Sequence, residues 1–318
     1  MTLSRNYLWI SLPALMLAAA TVLAGPPQAV SECGSYITEP GKYLLANDLF
    51  CDPGVTPIKI LASDVMLDLR GHSINCAVGD RSGVVVGDDG DQEVFSNVRI
   101  TNGSINGCGV GALLWFTDGA RVTKMSFSGS IESGVTLVEA QNNVIKNNEF
   151  WGDFWAINSY ASTGNSYSHN TIRYSVVGID LYAETDSRIT CNTVDQGYFT
   201  LSLGPYGPWP SSGNLVRGNL VTGSFLGIAM VGYGTPDDGV TDPQSIDNLI
   251  HANVATGNWW DMAEVLYNPY TDELFVEPGA ACANTWKNNQ FYWSLGPPDC
   301  IGTPIDLDEV CAFEGDDD

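Results

Sequence analysis

The stretch NNVIKNNEF, Asn142 to Phe150, decides how the chain is read. Its beat returns as GNSYSHNTI at Gly164 to Ile172 and as DSRITCNTV at Asp186 to Val194, so that Asn148, Asn170 and Asn192 stand a constant 22 residues apart. An interval of that size marks a repeat architecture. With this asparagine as column zero, the column continues through Asn102, Ser126, Asn219, Asn253 and Asn289. Apolar side chains stand three residues before it (Ile145, Tyr167, Ile189, Val216, Ile250, Trp286) and two after it (Phe150, Ile172, Val194, Val221, Ala255, Phe291). Each unit therefore reads as short period-two strands separated by Asn and Gly turns, with no helical period. A unit this small cannot close a core alone; it buries its apolar face on like neighbours stacked along an axis, about 4.8 Å per coil. The expected fold is all-β and a single domain: a solenoid of parallel strands. Asparagine suits its corners, because it tolerates left-handed backbone angles and its amide can bond the next coil in a ladder. A leucine-rich repeat also uses Asn at such a period, but its Leu consensus and helical segments are missing.

Composition bounds the setting. Residues 1–24 carry Arg5, an apolar run from Leu8 to Leu23 interrupted by Ser11 and Pro13, and small or apolar residues before a cleavage point. This is the pattern of a secretory signal, so the mature chain is expected outside the cytoplasm, secreted, periplasmic or at the cell surface. No later segment reaches the length of a membrane span. A formal charge of −24 excludes nucleic acid as a partner and would repel acidic polysaccharides unless cations or a basic patch intervene; neutral glycans are indifferent to it. Eight cysteines without a CxxC pair point to disulfides. Cys33 with Cys51 and Cys282 with Cys300 are expected as clasps at the two ends, and Cys76 is expected with Cys108. Cys191 and Cys311 are left by elimination, and spacing alone does not settle the pairing.

Residues 64–294 resemble right-handed parallel β-helix repeats of the pectin lyase-like superfamily. The resemblance is carried by DVMLDLRGHSI, NVRITNGSI, NNVIKNNEF, GNLVRGNLVTGSFLGIAM and DNLIHANVATGN. CGSYITEPGKYLLANDLFC resembles the segment that caps such helices in exported bacterial proteins. The implied organisation is a signal at 1–24, an N-terminal cap at 25–62, the β-helix at 63–294 and an acidic tail at 295–318. The resemblance implies a fold that hosts lyases, hydrolases, epimerases, adhesins and spacers, so it leaves the reaction open. Patterns that mark several of its enzymes are absent: Asp242-Pro243 is followed by Gln244-Ser245 rather than His-Glu.

Equivalent positions of successive coils share one surface stripe, which brings distant residues together. Three after column zero stand Trp151, Arg173 and Asp195, a ring, a cation and a carboxylate, as a sugar site requires. His169 at the adjoining corner and Asp180 on the third strand complete the catalytic candidates. Lys146, Trp155 and Tyr182 join Trp151 as candidate substrate-binding residues, and Trp155, Phe199 and Trp260 share one column. An Arg173 to Asp195 surface ion pair accounts for that row equally well. Lys124, Lys146, Arg217, His251 and Lys287 form an outward basic row, which reads either as a guide for an anionic polymer or as a solvated strand face. The three histidines stand too far apart in the repeat for a metal cage, so no metal site is assigned. Calcium is the one cofactor for which the loops GDDGDQE and TPDDGVTD hold hard oxygen ligands, without EF-hand spacing. The reading is a polysaccharide partner, bound or acted on by lyase, hydrolase or epimerase chemistry; a non-catalytic surface module and a structural spacer stay open beside it.

Overall fold

A computed structural model describes residues 25–77, 81–88, 92–233, 245–268, 273–276, 282–297 and 299–305. The signal segment, the TPDDGVTD loop, residues 89–91 of GDDGDQE and the tail from 306 lie outside the described residues. Among those described there is no helix, and the chain winds as the parallel β-helix its repeat requires. One coil shows the rule. Val144–Lys146, Glu149–Trp151 and Trp155–Tyr160 pair in parallel with Ser166–Ser168, Thr171–Arg173 and Val177–Tyr182 of the next coil. Ile145 lies over Tyr167, Phe150 over Ile172 and Ile157 over Ile179. These side chains are buried because period-two alternation turns them inward on every strand.

Repetition gives two long sheets. One, of 18 strands, holds the two short segments of each coil; the other, of 12 strands, holds the longer third segment. Residues 25–62 join the same sheets: Gln28–Val30 pairs with Gly41–Leu45 and Ser35–Ile37 with Ile58–Ile60. The interior is a continuous aliphatic and aromatic column in which Phe127 stacks on Phe150 at 5.0 Å.

The corners carry the expected amide ladder but differ in which residue is left-handed. The left-handed residue is the one before the ladder asparagine: Asn147, His169, Cys191, Gly218, Ala252 and Asn288 all have φ between 51° and 65°. The asparagine itself points inward and is at most 2% exposed. Its amide, rather than its tolerance of left-handed angles, is what the position demands. Asn148 donates to Asn170, Asn170 to Asn192, and so on through Asn219, Asn253 and Asn289, at 2.9–3.1 Å. A second ladder runs through Asn143, Asn165, Ser187, Asn214, Asn248 and Asn284. These side chains satisfy corner N–H groups that the sheets leave unpaired in a dry interior.

Two members of the expected column sit elsewhere. Thr101 and Gly103 lie against Thr123 and Met125, so Asn102 is opposite Lys124, and Ser126 lies on Glu149. Met125 is the true equivalent of Asn148, since its N–H bonds Asn148 Oδ1 at 3.0 Å. The coil from Arg121 to Val144 is 23 residues long, one more than its neighbours, and spacing alone hides the extra residue. Lys124 consequently occupies a left-handed corner (φ 57°), and Lys146 pairs with Thr123 instead.

Cys33–Cys51, Cys76–Cys108 and Cys282–Cys300 are bonded as expected. Cys191 is also disulfide-bonded, and Cys311 lies outside the described residues. At the C-terminal end Asp261, fully buried, takes over from the asparagines. Its Oδ1 accepts from Asn258 and its Oδ2 from the N–H groups of Tyr292 and Trp293. Here Glu273–Phe275 folds back antiparallel onto Trp260–Asn268. Leu274 and Leu295 thereby cover Ala229, Ala263 and Val265 on the outside of the longer-strand sheet, in a second small core.

Candidate functional site

Outward rows of the longer-strand sheet build a concave region. One row reads Thr136, Asn158, Asp180, Ser202, Ala229 and Ala263; the row beside it reads Val138, Tyr160, Tyr182 and Gly204. Tyr160 and Tyr182 stack at 5.4 Å with nearly parallel rings, and Tyr206 meets Tyr160 edge-on. The tyrosine row then stops at Gly204. Loss of the ring, with small residues in the neighbouring row, opens a cleft of about 650 Å³. Tyr182 closes one end, Tyr198, Phe199, Phe225 and Trp260 form the side, and Tyr267 and Leu274 the far end. Tyr198 stacks on Phe225 at 5.1 Å, and Phe225 leans on Trp259, which is 71% exposed. The aromatic wall thus continues out of the cleft along the rod.

Asp180 is the carboxyl group among the described residues lining this cleft. Its Oδ1 accepts from Ser202 Oγ at 2.5 Å and its Oδ2 from Trp155 Nε1 at 3.2 Å. Burial pushes its pKa above the usual carboxylate range, while hydrogen bonds from Ser202, Tyr182 and Trp155 pull it back. Burial also raises the Tyr160 hydroxyl, and the charge of Asp180 adds to that rise. Asn158, one coil above Asp180, donates to Tyr160 Oη at 2.7 Å and keeps a buried Oδ1 without a partner among the described residues. Here a protonatable carboxyl, hydroxyls and aromatic faces converge.

The expected site residues divide over three places. Trp151, Arg173 and Asp195 do lie in register on consecutive coils, but on the 18-stranded sheet. Trp151 is 54% exposed and packs edge-on against Tyr174 at 4.4 Å. Asp195 Oδ1 accepts from Thr222 Oγ1 at 2.8 Å, and no Arg173 to Asp195 ion pair forms among the described residues. Asp180, Trp155 and Tyr182 belong to the other sheet. His169 stands apart at a left-handed corner, half-buried, with Nδ1 unpartnered among the described residues. The four catalytic candidates are therefore not one constellation: two share a sheet face, and a turn of the coil separates them from Asp180. Lys146 does share the expected row: it runs through Ser168 and Thr190 to Arg217, His251 and Lys287, and Lys124, at its corner, is the member that falls outside it. Burial, then the charges of Arg217 and Lys287, hold His251 below its usual pKa. The shared column of Trp155, Phe199 and Trp260 is present, through Val177 and Leu226. Gly204, the gap in the tyrosine row, was missed; the count from Tyr160 through Tyr182 would have found it.

A family model described as periplasmic copper-binding protein (NosD) matches residues 71–265, more than half of the chain. The chain belongs to the NosD family. No curated protein matches the sequence. Among solved structures, the catalytic domain of a GH87 alpha-1,3-glucanase in complex with nigerose is similar at 11% identity and a TM-score of 0.53, over 87% of this chain and 62% of that one. The tailspike protein of E. coli bacteriophage HK620 in complex with pentasaccharide is similar at 13% identity and 0.47, over 84% and 58%. A mutant of the periplasmic alginate epimerase AlgG is similar at 14% identity and 0.45, over 77% and 72%. This NosD-family chain spans about six-tenths of the tailspike and of the glucanase domain, and the likeness is one of fold.

The family's description raises copper, which takes imidazole, thiolate or thioether ligands. The described residues do not fit it. His72 lies 3.3 Å from Asp48, His169 is at its corner and His251 stands between two cations. The described cysteines are all in disulfides, Met125, Met230 and Met262 are core residues, and Met66 stands half-buried in register with Lys42 and Arg99. Among the described residues no three His, Cys, Asp or Glu side chains gather as a metal site. Of the acidic loops considered for calcium, Asp88 is bonded to Lys59 at 2.6 Å.

Proposed function

We propose that this NosD-family protein is an extracytoplasmic glycan-binding protein whose ligand lies in the Tyr182 to Trp260 cleft, with Asp180 as its proton-carrying group. The cleft carries the reading: aromatic faces suited to the C–H faces of sugar rings stand beside a buried carboxyl and hydroxyls suited to their OH groups. The periplasmic description of the family and the disulfides support the location. Asp180 has the environment of a general acid, which lyase, hydrolase or epimerase chemistry would use. Glycoside hydrolysis by paired carboxylates needs a second acid, and among the described residues Asp180 is the one carboxylate in the cleft lining. Binding is the reading that the aromatic lining supports best. Trp151, Arg173 and Asp195 enter as a second contact surface on the neighbouring sheet, with Lys146 beside it.

The test is titration of the mature protein with a panel of neutral and acidic polysaccharides, with parallel assays for reducing ends, unsaturated uronates and epimer ratio. Binding to at least one glycan is expected, weakened about tenfold by Tyr182→Ala or Phe225→Ala, each of which removes an aromatic contact. Binding that ignores both substitutions, or none across the panel, ends the proposal.

A further inference from the structure

The asparagine ladders obey a rule that one buried residue breaks. In twelve asparagines, Asn143, Asn148, Asn165, Asn170, Asn192, Asn214, Asn219, Asn248, Asn253, Asn258, Asn284 and Asn289, Oδ1 accepts an N–H from the preceding coil. In all twelve, Nδ2 donates to the carbonyl three residues before that N–H, at 2.8–3.4 Å. Asp153 fills the same kind of position. It is 1% exposed, and its Oδ1 accepts the Ser130 N–H at 2.8 Å. The rule places its other oxygen toward the carbonyl of Phe127, three residues before Ser130. That Oδ2 is buried and unpartnered, as are Ser130 Oγ and Ser175 Oγ on the adjacent coils. The other interior acids differ. Glu184 receives hydrogen bonds from Ser159, Asn165, Tyr167 and Ser187, Asp261 from backbone and amide donors, and Glu264 from Ala283 and Trp286. Among the described residues Asp153 is the buried carboxylate left with an orphan oxygen.

We propose that Asp153 is a protonated rung of the ladder, its Oδ2–H donating to the Phe127 carbonyl, so that losing this proton sets two acceptors against each other and loosens the coil bearing Phe154 and Trp155. An ionised carboxylate cannot do what the amide does in the other twelve places; a neutral acid can. Consistent with this, burial pushes Asp153 up to about 6, partly offset by the Ser130 N–H. No charged side chain contributes to that shift. Glu132, Glu149, Arg173 and Asp195, the charged residues of the same and adjoining coils, are exposed or half-buried, and Ser130 and Ser175 adjoin Asp153 on the coils to either side. The device adjoins the cleft, because Trp155, two residues on, bonds Asp180.

The sign follows from the raised folded pKa. The penalty is absent below the unfolded value, grows as pH rises toward about 6 and is complete above it. Asp153→Asn supplies the missing donor permanently. Its melting temperature should match the parent's at about pH 3, below the ordinary aspartate value, and exceed it by about 5 °C or more at pH 8. Asp180 and Glu184 titrate in both proteins, so the difference reports Asp153. An offset independent of pH, or a less stable variant at pH 8, overturns the proposal. If the variant does not fold, a carboxyl-carbon NMR titration of the parent decides. A midpoint near 6 for the signal assigned to Asp153 is expected, whereas an Asp153 signal titrating at about 4 would refute it.

Discussion

Replacing Asn170 by alanine tests the ladder at its centre. Asn170 is 1% exposed; its Oδ1 accepts the N–H and Nδ2 of Asn148, and its Nδ2 donates to the Ile145 carbonyl at 2.9 Å and to Asn192 Oδ1. The Asn148 side chain keeps its bond to the Val122 carbonyl, and Asn192 keeps the Asn170 N–H. The groups left without their ladder partner in a dry interior are the Asn148 N–H and one lone pair of the Ile145 carbonyl. Stranding a buried polar group costs about 1–3 kcal/mol, so the substitution should cost about 3–5 kcal/mol, a large part of the 5–15 kcal/mol of a typical domain. A solenoid unfolds by neighbouring units, so hydrogen exchange at single amides is a sharper assay than one global transition. Protection should fall at Asn148 and in the coils on either side of Asn170, and much less near Val30 and Leu45. Unchanged protection at Asn148, or a uniform drop along the chain, would refute the view that each rung holds its own coil.

Three further outcomes follow from packing and charge. Gly178→Ala should destabilise by more than about 1 kcal/mol in thermal melts, because its Cβ would lie 2.2 Å from the Thr200 carbonyl oxygen and 2.7 Å from Val194 Cγ1. Removing the Cys76–Cys108 bridge, which spans 32 residues, should cost about 3 kcal/mol in denaturant unfolding under oxidising conditions. Asp180→Asn should become progressively more stable than the parent as pH rises, since a carboxyl whose folded pKa is raised by burial penalises the folded state once it must ionise. A gap that instead widens toward low pH would contradict that environment.

Much of this was legible in the chain because a solenoid writes its tertiary contacts as spacing. The register of Trp151, Arg173 and Asp195 could be counted at 22 residues per coil, and the structure places them on one stripe. Counting failed where a coil took one extra residue: Asn102, Lys124 and Ser126 all shifted by one position, and a one-residue shift turns a side chain to the other face. The cleft escaped for another reason. Its walls come from strands as distant as Val177–Tyr182 and Trp260–Asn268, and its far end from Leu274 on a segment that folds back. No periodicity encodes that reversal.

The amino-acid order by itself determined that strands stack in parallel around a dry column, because each short unit has no other way to bury its apolar face. Tertiary structure decided which outward rows share a space. The direction of each corner puts Asp180 and Asp195 on different sheets although they are 15 residues apart in the chain. A missing ring at Gly204 then turns a flat strand face into a cleft.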